Sequence, residues 1–356
     1  AADKFGPARR MAIRAMANRG ITSRVEDVYD AAIQEDQRLR PDTITIGIDE
    51  KLDKLHALGG GWSLSFRFTR NGRTRYAFKP AQKHWEEGWR AEIAAYRFCE
   101  IVACHFNIPR NRPARISKKH FEKLYARVDD EEQREYRDRF GDLVWKTEIG
   151  PGGNERQYLY GTLKDWVPHF TKWPIEYEDV WRPWLAPETD PELLEEPLPK
   201  SLAPLKDKGE EDFFAKIMDE RSGATTRSMA RQLSSLLVFD FLTSNWDRFS
   251  TAEKYYGVNN QFANGEFVSI DNGASFPRYH FQVVARRLEP VGRFSRQTIL
   301  SIQALEPKLV DPILFPEPSV GERARLETFW EQRDKLIDLV RAMRAEFGTR
   351  TVYTFR

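Results

Sequence analysis

The stretch Gly59-Gly60-Gly61-Trp62-Ser63-Leu64-Ser65-Phe66-Arg67-Phe68-Thr69-Arg70-Asn71-Gly72-Arg73-Thr74-Arg75-Tyr76-Ala77-Phe78-Lys79-Pro80 decides how the chain is read. From Trp62 to Phe68 apolar and polar side chains alternate, the two-residue period of a half-buried strand. Asn71-Gly72 is the pair best able to hold both central residues of a two-residue turn at positive φ, where turn twist matches strand twist. A second run, Thr74 to Lys79, follows, and Pro80 has no N–H to continue a ladder. The pattern predicts a β-hairpin over 61–79 with a glycine-rich lead-in and Lys79 at the end of its second strand.

Outward from the hairpin, the period changes. Trp89, Ile93, Tyr96 and Ala103 recur at helical spacing, predicting a helix over 86–106 that Asn107-Ile108-Pro109 stops. Residues 1–40 hold good helix formers and few breakers. The segment 129–139 is too charged for a core, and predicts a solvated helix or loop. Six prolines between Pro183 and Pro204 predict a long surface excursion. Thr225 can cap a helix reaching Ser244, with Met229, Leu233, Leu236, Leu237 and Phe241 as its apolar stripe. Phe267 to Ile270 reads as a short buried strand, and Glu322 to Phe347 as a second long amphipathic helix. Strands come early and helices late, so the expected class is α+β, with a small mixed lobe before a larger helical one. The expected divisions are a helical extension over 1–50, a β-containing lobe over 51–160 and a helical lobe over 161–356. A chain of 356 residues exceeds one comfortable core, which agrees with a division.

Charge and cysteine content narrow the function classes. Lys and Arg number 56 against 54 Asp and Glu, so no global field favours nucleic acid as a partner. A local excess lies at the start, where Lys4, Arg9, Arg10, Arg14, Arg19 and Arg24 face only Asp3. That stretch lacks the apolar centre of an intact signal peptide, and no run reaches the length of a membrane span. The compartment is left open: cytoplasmic, or secreted after loss of a leader. Cys99 and Cys104 are five apart within one helical pattern and so fall on different faces. Buried free thiols, not a bridge, are expected.

Several site types are absent. There is no Walker A pattern, no G-x-G-x-x-G and no G-x-S-x-G. The histidines are scattered, and none forms H-E-x-x-H. What remains is a lysine and three acids: Lys79 at the strand end, Glu92 on the next helix, Asp247 just past the 225–244 helix, and Asp271 after the 267–270 strand. Phosphoryl transfer needs these types together. A lysine on a rigid strand holds phosphates, acids hold the metal ions that neutralise them, and one further carboxylate orients the acceptor hydroxyl. Singly, Gly59–Gly61 and these four residues each have a plain structural reading: a flexible turn, a surface lysine, a helix-surface contact, a local salt bridge, a turn. Their order along the chain is that of a kinase-like site.

At these residues the chain resembles a known family, the secretory-pathway kinases of the "family with sequence similarity twenty" group, which includes the Golgi casein kinase and a xylose kinase. Phe78-Lys79-Pro80 resembles its strand lysine motif, and Ala91-Glu92-Ile93-Ala94-Ala95 its helix core. Gly161-Thr162-Leu163-Lys164-Asp165-Trp166-Val167-Pro168 resembles its hinge. Phe239-Asp240-Phe241-Leu242-Thr243-Ser244-Asn245-Trp246-Asp247-Arg248 and Ile270-Asp271-Asn272-Gly273 resemble its catalytic and metal blocks. The resemblance runs from about Gly59 to Leu305. It implies a two-lobed atypical kinase fold, ATP as cofactor with Mn²⁺ or Mg²⁺, and a protein Ser/Thr or sugar hydroxyl as acceptor. It implies Asp247 as catalytic aspartate, and Glu92 and Asp271 as metal residues, Glu92 alternatively positioning Lys79. It implies nucleotide contacts from Lys79, Ser63, Lys164, Asp165, Trp166, Val167, Asn245 and Glu253. The chain departs from the family at Ser63, commonly glutamine there, and at Glu253, displaced by one position. It also lacks the family's multiple cysteines, which fits a bacterial-type relative. The departures keep open a nucleotide-binding pseudokinase scaffold or activator, or a nucleotidyltransferase on the same fold.

Overall fold

A computed structural model describes residues 43–58, 63–85, 87–102, 104–128, 136–150, 153–168, 171–172, 178–198, 224–248 and 260–355. Among the described residues the chain is α+β, and it divides into two units. One comprises Arg40–Tyr96 and Pro109–Pro168. The other includes Arg97–Ile108 and His169–Arg356. The expected helical stretch over 1–40, the Gly59–Gly61 lead-in, most of the charged 129–139 segment and Glu253 lie outside the described residues.

The first unit is built on one sheet. Its strands are β1 (Ile44–Ile46), β2 (Lys54–Leu58), β3 (Ser65–Arg70), β4 (Arg73–Pro80), β5 (Asn111–Ser117), β6 (Trp145–Ile149) and β7 (Glu155–Asp165). They run in the order β1-β5-β7-β4-β3-β2, with β6 on the first half of β7. The hairpin forms where the sequence places it. β3 and β4 pair antiparallel with Arg70 opposite Arg73, and Asn71 and Gly72 take φ of 54° and 71° between them. Both central residues lie in the left-handed region, as a primed turn requires. β4 continues through Pro80, one residue beyond expectation. β1 lies inside the stretch expected as a helical extension and pairs parallel with β5 instead. Three β-branched residues, Ile44-Thr45-Ile46, suit that buried sheet position.

Alternation gives this sheet one apolar face. Phe66, Phe68, Phe78, Ala114, Ile116, Leu159 and Leu163 pack there with Phe121, Leu124 and Tyr125 of helix α2 (Lys118–Tyr125), while α1 is the helix Gly88–Val102. Ser117 caps α2 through the His120 N–H at 3.3 Å. Phe66 meets Phe121 edge to face at 5.2 Å, and Phe121 meets Trp145 likewise at 5.6 Å. The expected lobe boundary at 160 falls inside β7. The hinge-like residues Gly161–Asp165 form the second half of this central strand, and the division comes at Pro168.

The second unit is mostly helical. Helices α3 (Glu178–Leu185), α4 (Thr226–Thr243), α5 (Gln282–Leu288), α6 (Arg296–Gln303), α7 (Pro307–Leu314), α8 (Val320–Phe347) and α9 (Thr349–Val352) are joined by a small sheet, β10-β9-β8 (Glu266–Ser269, Asn260–Ala263, Thr171–Lys172). Thr225 caps α4 in a capping box with Ser228. The apolar stripe expected on α4 is too narrow a reading. Gln232, Ser234, Ser235 and Asp240 are buried as well, so the helix is enclosed on all sides. Its small polar side chains find partners: Ser234 Oγ donates to the Arg293 carbonyl at 2.7 Å. Ser319 caps α8 with Glu322 in a second capping box, and Leu326, Phe329, Leu336, Ile337 and Val340 are its buried face. Phe98, on the part of α1 belonging to this unit, packs on Phe239 and Phe329 at 5.8 and 5.2 Å.

Cys99 and Cys104 are joined in a disulfide, with Cα atoms 5.1 Å apart. The expectation of free thiols is corrected for a local reason. Helix α1 ends at Val102, so Cys104 lies past the last helical residue. The chain turns back there, with the Cys104 N–H on the Cys99 carbonyl at 3.2 Å. Helical spacing does not apply across that end.

Candidate functional site

The first unit gathers charge on the sheet face opposite its apolar core. Register explains which residues share that face. Ala77 lies opposite Lys164, Lys79 opposite Thr162, and Asn111 opposite Lys164, all of one parity. Lys79 is 8 % exposed and Glu92 of α1 is fully buried. Lys79 Nζ lies 3.4 Å from Glu92 Oε1, and Lys164 Nζ lies 3.0 Å from Glu92 Oε2. One carboxylate is thus held between two ammonium groups, an assembly with a net positive charge. A buried charge is tolerable only when paired, and this geometry pairs it twice. Beside it, Thr162 Oγ1 donates to Asn111 Oδ1 at 3.1 Å, and the Asn111 amide donates to the Pro109 carbonyl at 2.7 Å.

Local packing fixes where Lys79 stands. A Cβ on Gly161 would come within 2.4 Å of the Lys79 carbonyl oxygen and 2.8 Å of the Phe78 ring. Only glycine lets β7 approach β4 this closely. Gln82 is buried and binds the hairpin at its start. Its Oε1 accepts from the Leu64 N–H at 2.6 Å, and its amide donates to the Leu64 carbonyl at 3.0 Å. Ser63, the residue before Leu64, is thereby tied to the end of β4.

The hinge-like residues are held by contacts within the unit. The Lys164 side chain reaches Glu92. The Asp165 carboxylate pairs with Arg112 at 3.3 Å, and its N–H donates to the Arg110 carbonyl at 3.0 Å. The Trp166 N–H donates to the Arg75 carbonyl at 2.9 Å. Val167 follows, outside regular structure.

A second polar group on the same sheet face was not anticipated. Arg115 donates to Glu148 Oε2 at 2.7 Å and to Tyr160 Oη at 3.2 Å, and Tyr160 donates to Glu148. Burial and the Glu148 contact push the Tyr160 phenol above its ordinary range. The signal was present as alternating Tyr158, Tyr160 and Thr162, but their partners lie on other strands.

In the second unit, Asn245, Asp247 and Asp271 stand on turns that one buried arginine ties together. Helix α4 ends at Ser244, in the left-handed region at φ 50°, and a short 3₁₀ turn, Trp246–Arg248, follows. Arg248 is fully buried, and Asp240 is 2 % exposed. Arg248 Nε lies 3.1 Å from Asp240 Oδ2 and Nη2 lies 3.0 Å from Oδ1, a two-pronged pair. Nη2 also donates to Asn272 Oδ1 at 2.6 Å. Burial pushes the Asp240 carboxyl above its ordinary value, and the Arg248 charge opposes that shift. Asp271 sits at φ 54°, at the end of β10 and just before the 3₁₀ turn Asn272–Ala274. Asn107 anchors β10 by hydrogen bonds of 2.8 Å to Phe267 and Ser269.

The sequence thus names two groups that stand in separate units: Lys79, Glu92 and Lys164 in one, Asn245, Asp247 and Asp271 in the other. Among the described residues, no three His, Cys, Asp or Glu side chains converge as a ready-made metal cage. No helix among them is long and apolar enough to cross a membrane. No protein-family model matches the chain, and no curated protein matches it.

Proposed function

We propose that the chain is an ATP-dependent, metal-requiring kinase with the two-lobed atypical kinase fold. The observation that carries this reading is the buried Lys79–Glu92 pair on the polar face of the hairpin sheet. A polyphosphate needs positive charge on a rigid support, and the Lys79–Glu92–Lys164 group supplies it. In this reading Lys79 and Lys164 bind phosphate oxygens, and Glu92 positions both ammonium groups. Asp271 holds Mn²⁺ or Mg²⁺, and Asp247 orients the acceptor hydroxyl for in-line attack on the γ-phosphorus. The bond to the β–γ bridging oxygen breaks, ADP leaves with it, and the hydroxyl proton passes to Asp247. Asp271 would hold the metal together with substrate oxygens, as Mg²⁺ is commonly held by one or two carboxylates plus substrate, and the metal would supply charge neutralisation at the phosphates.

A second reading, a nucleotide-binding scaffold without turnover, has one observation in its favour: both Glu92 oxygens are engaged by lysines, not left for a metal. The purified chain with ATP, Mn²⁺ and a panel of protein and glycan acceptors separates the readings. A mass gain of one phosphoryl group on an acceptor supports the kinase. Gain of a nucleotidyl group makes the chain a nucleotidyltransferase. Calorimetric ATP binding with no modified acceptor and no ADP makes it a scaffold.

A further inference from the structure

The Asn245 side chain is 1 % exposed and fixed at one end only. Its Nδ2 donates to Asn272 Oδ1 at 3.3 Å. That same oxygen accepts from Arg248 Nη2 and from Ser269 Oγ at 2.9 Å, so it is an acceptor on every side. Rotating the Asn245 amide by half a turn would set two carbonyl oxygens against each other. The network therefore dictates which end of Asn245 is nitrogen. The other end, Oδ1, is buried with no hydrogen-bond partner.

An unpaired buried acceptor is costly, and proteins keep one where a bound group satisfies it. An amide oxygen can accept from an O–H or N–H, or it can ligate a hard cation. The surroundings favour the cation. Asn245 lies two residues before Asp247, and its nitrogen end is tied to the residue after Asp271. The Arg248 charge beside Asp247 is taken up by Asp240. A neutral oxygen beside the turn that carries Asp247, on a side chain tied to the turn that carries Asp271, is hard-cation chemistry. We propose that Asn245 Oδ1 is a ligand to the divalent cation, acting with Asp271, and that the Asp240–Arg248–Asn272 network is the device that orients it. This rests on the metal-dependent reading above.

The test is Mn²⁺ affinity, read from the paramagnetic resonance signal of free Mn²⁺ in the presence of ATP, with melting temperature measured alongside. Asn245→Leu is expected to weaken Mn²⁺ at least tenfold. Asn245→Asp keeps a ligand oxygen and adds charge but loses the donor to Asn272 Oδ1, so it is expected to bind Mn²⁺ more tightly than Asn245→Leu. Arg248→Lys, which cannot make the two-pronged contact, should weaken Mn²⁺ severalfold. Unchanged affinity in Asn245→Leu, or equal loss in Asn245→Asp and Asn245→Leu, overturns the assignment while the kinase reading stands. If Asn245→Leu does not fold, Asn245→Ala takes its place: unchanged Mn²⁺ affinity in that variant rejects the assignment. A wild type that binds no Mn²⁺ with ATP rejects the metal-dependent reading itself, and the ligand assignment with it.

Discussion

Replacing Glu92 by Gln removes one negative charge and almost no volume. Glu92 is fully buried, and its two oxygens meet Lys79 at 3.4 Å and Lys164 at 3.0 Å. Gln can accept from one ammonium group through its remaining oxygen, but its amide end repels the other. Removing one partner of a buried ion pair costs about 3–5 kcal/mol, because the charge left behind has no compensation. The lysine side chains keep 9 % and 12 % exposure, which gives water some access and favours the lower end, about 3 kcal/mol. At a urea slope of about 2–3 kcal/mol per molar, the midpoint of the sheet unit should fall by roughly 1–1.5 M. ATP should then stabilise Glu92→Gln more than wild type, since phosphate oxygens can serve the two ammonium groups. A double-mutant cycle with Lys164→Met should show coupling, because removing that lysine relieves part of the defect. Urea melts followed by fluorescence, with and without ATP, read all of this. A loss under about 1 kcal/mol with no coupling would refute the reasoning that Glu92 is held between two lysines.

Gly161→Ala should cost about 1–3 kcal/mol by forcing β4 away from β7, and should weaken ATP binding through displacement of Lys79. Calorimetry and a melt check both, and wild-type values for each contradict the close approach. Replacing Cys99 and Cys104 by Ser should cost about 2 kcal/mol, the loop-closure entropy of a short bridge. A reductant should reproduce the loss in wild type and leave the double variant unaffected. Burial, with Lys335 nearby, holds His280 below its ordinary pKa, so the folded state takes up a proton less readily than the unfolded chain. The stabilising contribution is present above about pH 6.5 and is lost as pH falls below it. The fall in melting temperature between pH 7.5 and 5.5 should be shallower in His280→Gln, and a steeper one would reverse the sign. His120 is shifted in the same direction, so the variant should reduce the slope without abolishing it.

What could be read from the sequence was local. Asn71-Gly72 specifies its turn through the φ values those two residues tolerate, and the alternation on either side then sets which face is apolar. Thr225 marks a helix start because a cap acts within three residues. What escaped was set by partners distant along the chain. The contact of Lys164 with Glu92 spans 72 residues and depends on β7 lying beside β4. The strand β1 was hidden because its pairing with β5 is parallel and some seventy residues away. The Asp240–Arg248 pair is only eight residues apart, but they straddle the helix end at Ser244, so helical spacing could not relate them. The disulfide was missed for the same reason, at the end of α1. The candidate acids were legible as types in an order. Which side chains hold them in place was not, because burial and pairing decide that.

The account turns on phosphoryl transfer, and one comparison tests it most directly. ADP formation from ATP with Mn²⁺, in the presence of a productive acceptor, should be measured for wild type, Asp247→Asn and Asp271→Ala at equal folded concentration. The account predicts that Asp247→Asn loses at least about 10²-fold in rate, the range for a missing general base, and that Asp271→Ala falls at least as far and is not restored by excess Mn²⁺. Equal rates in wild type and Asp271→Ala would contradict it.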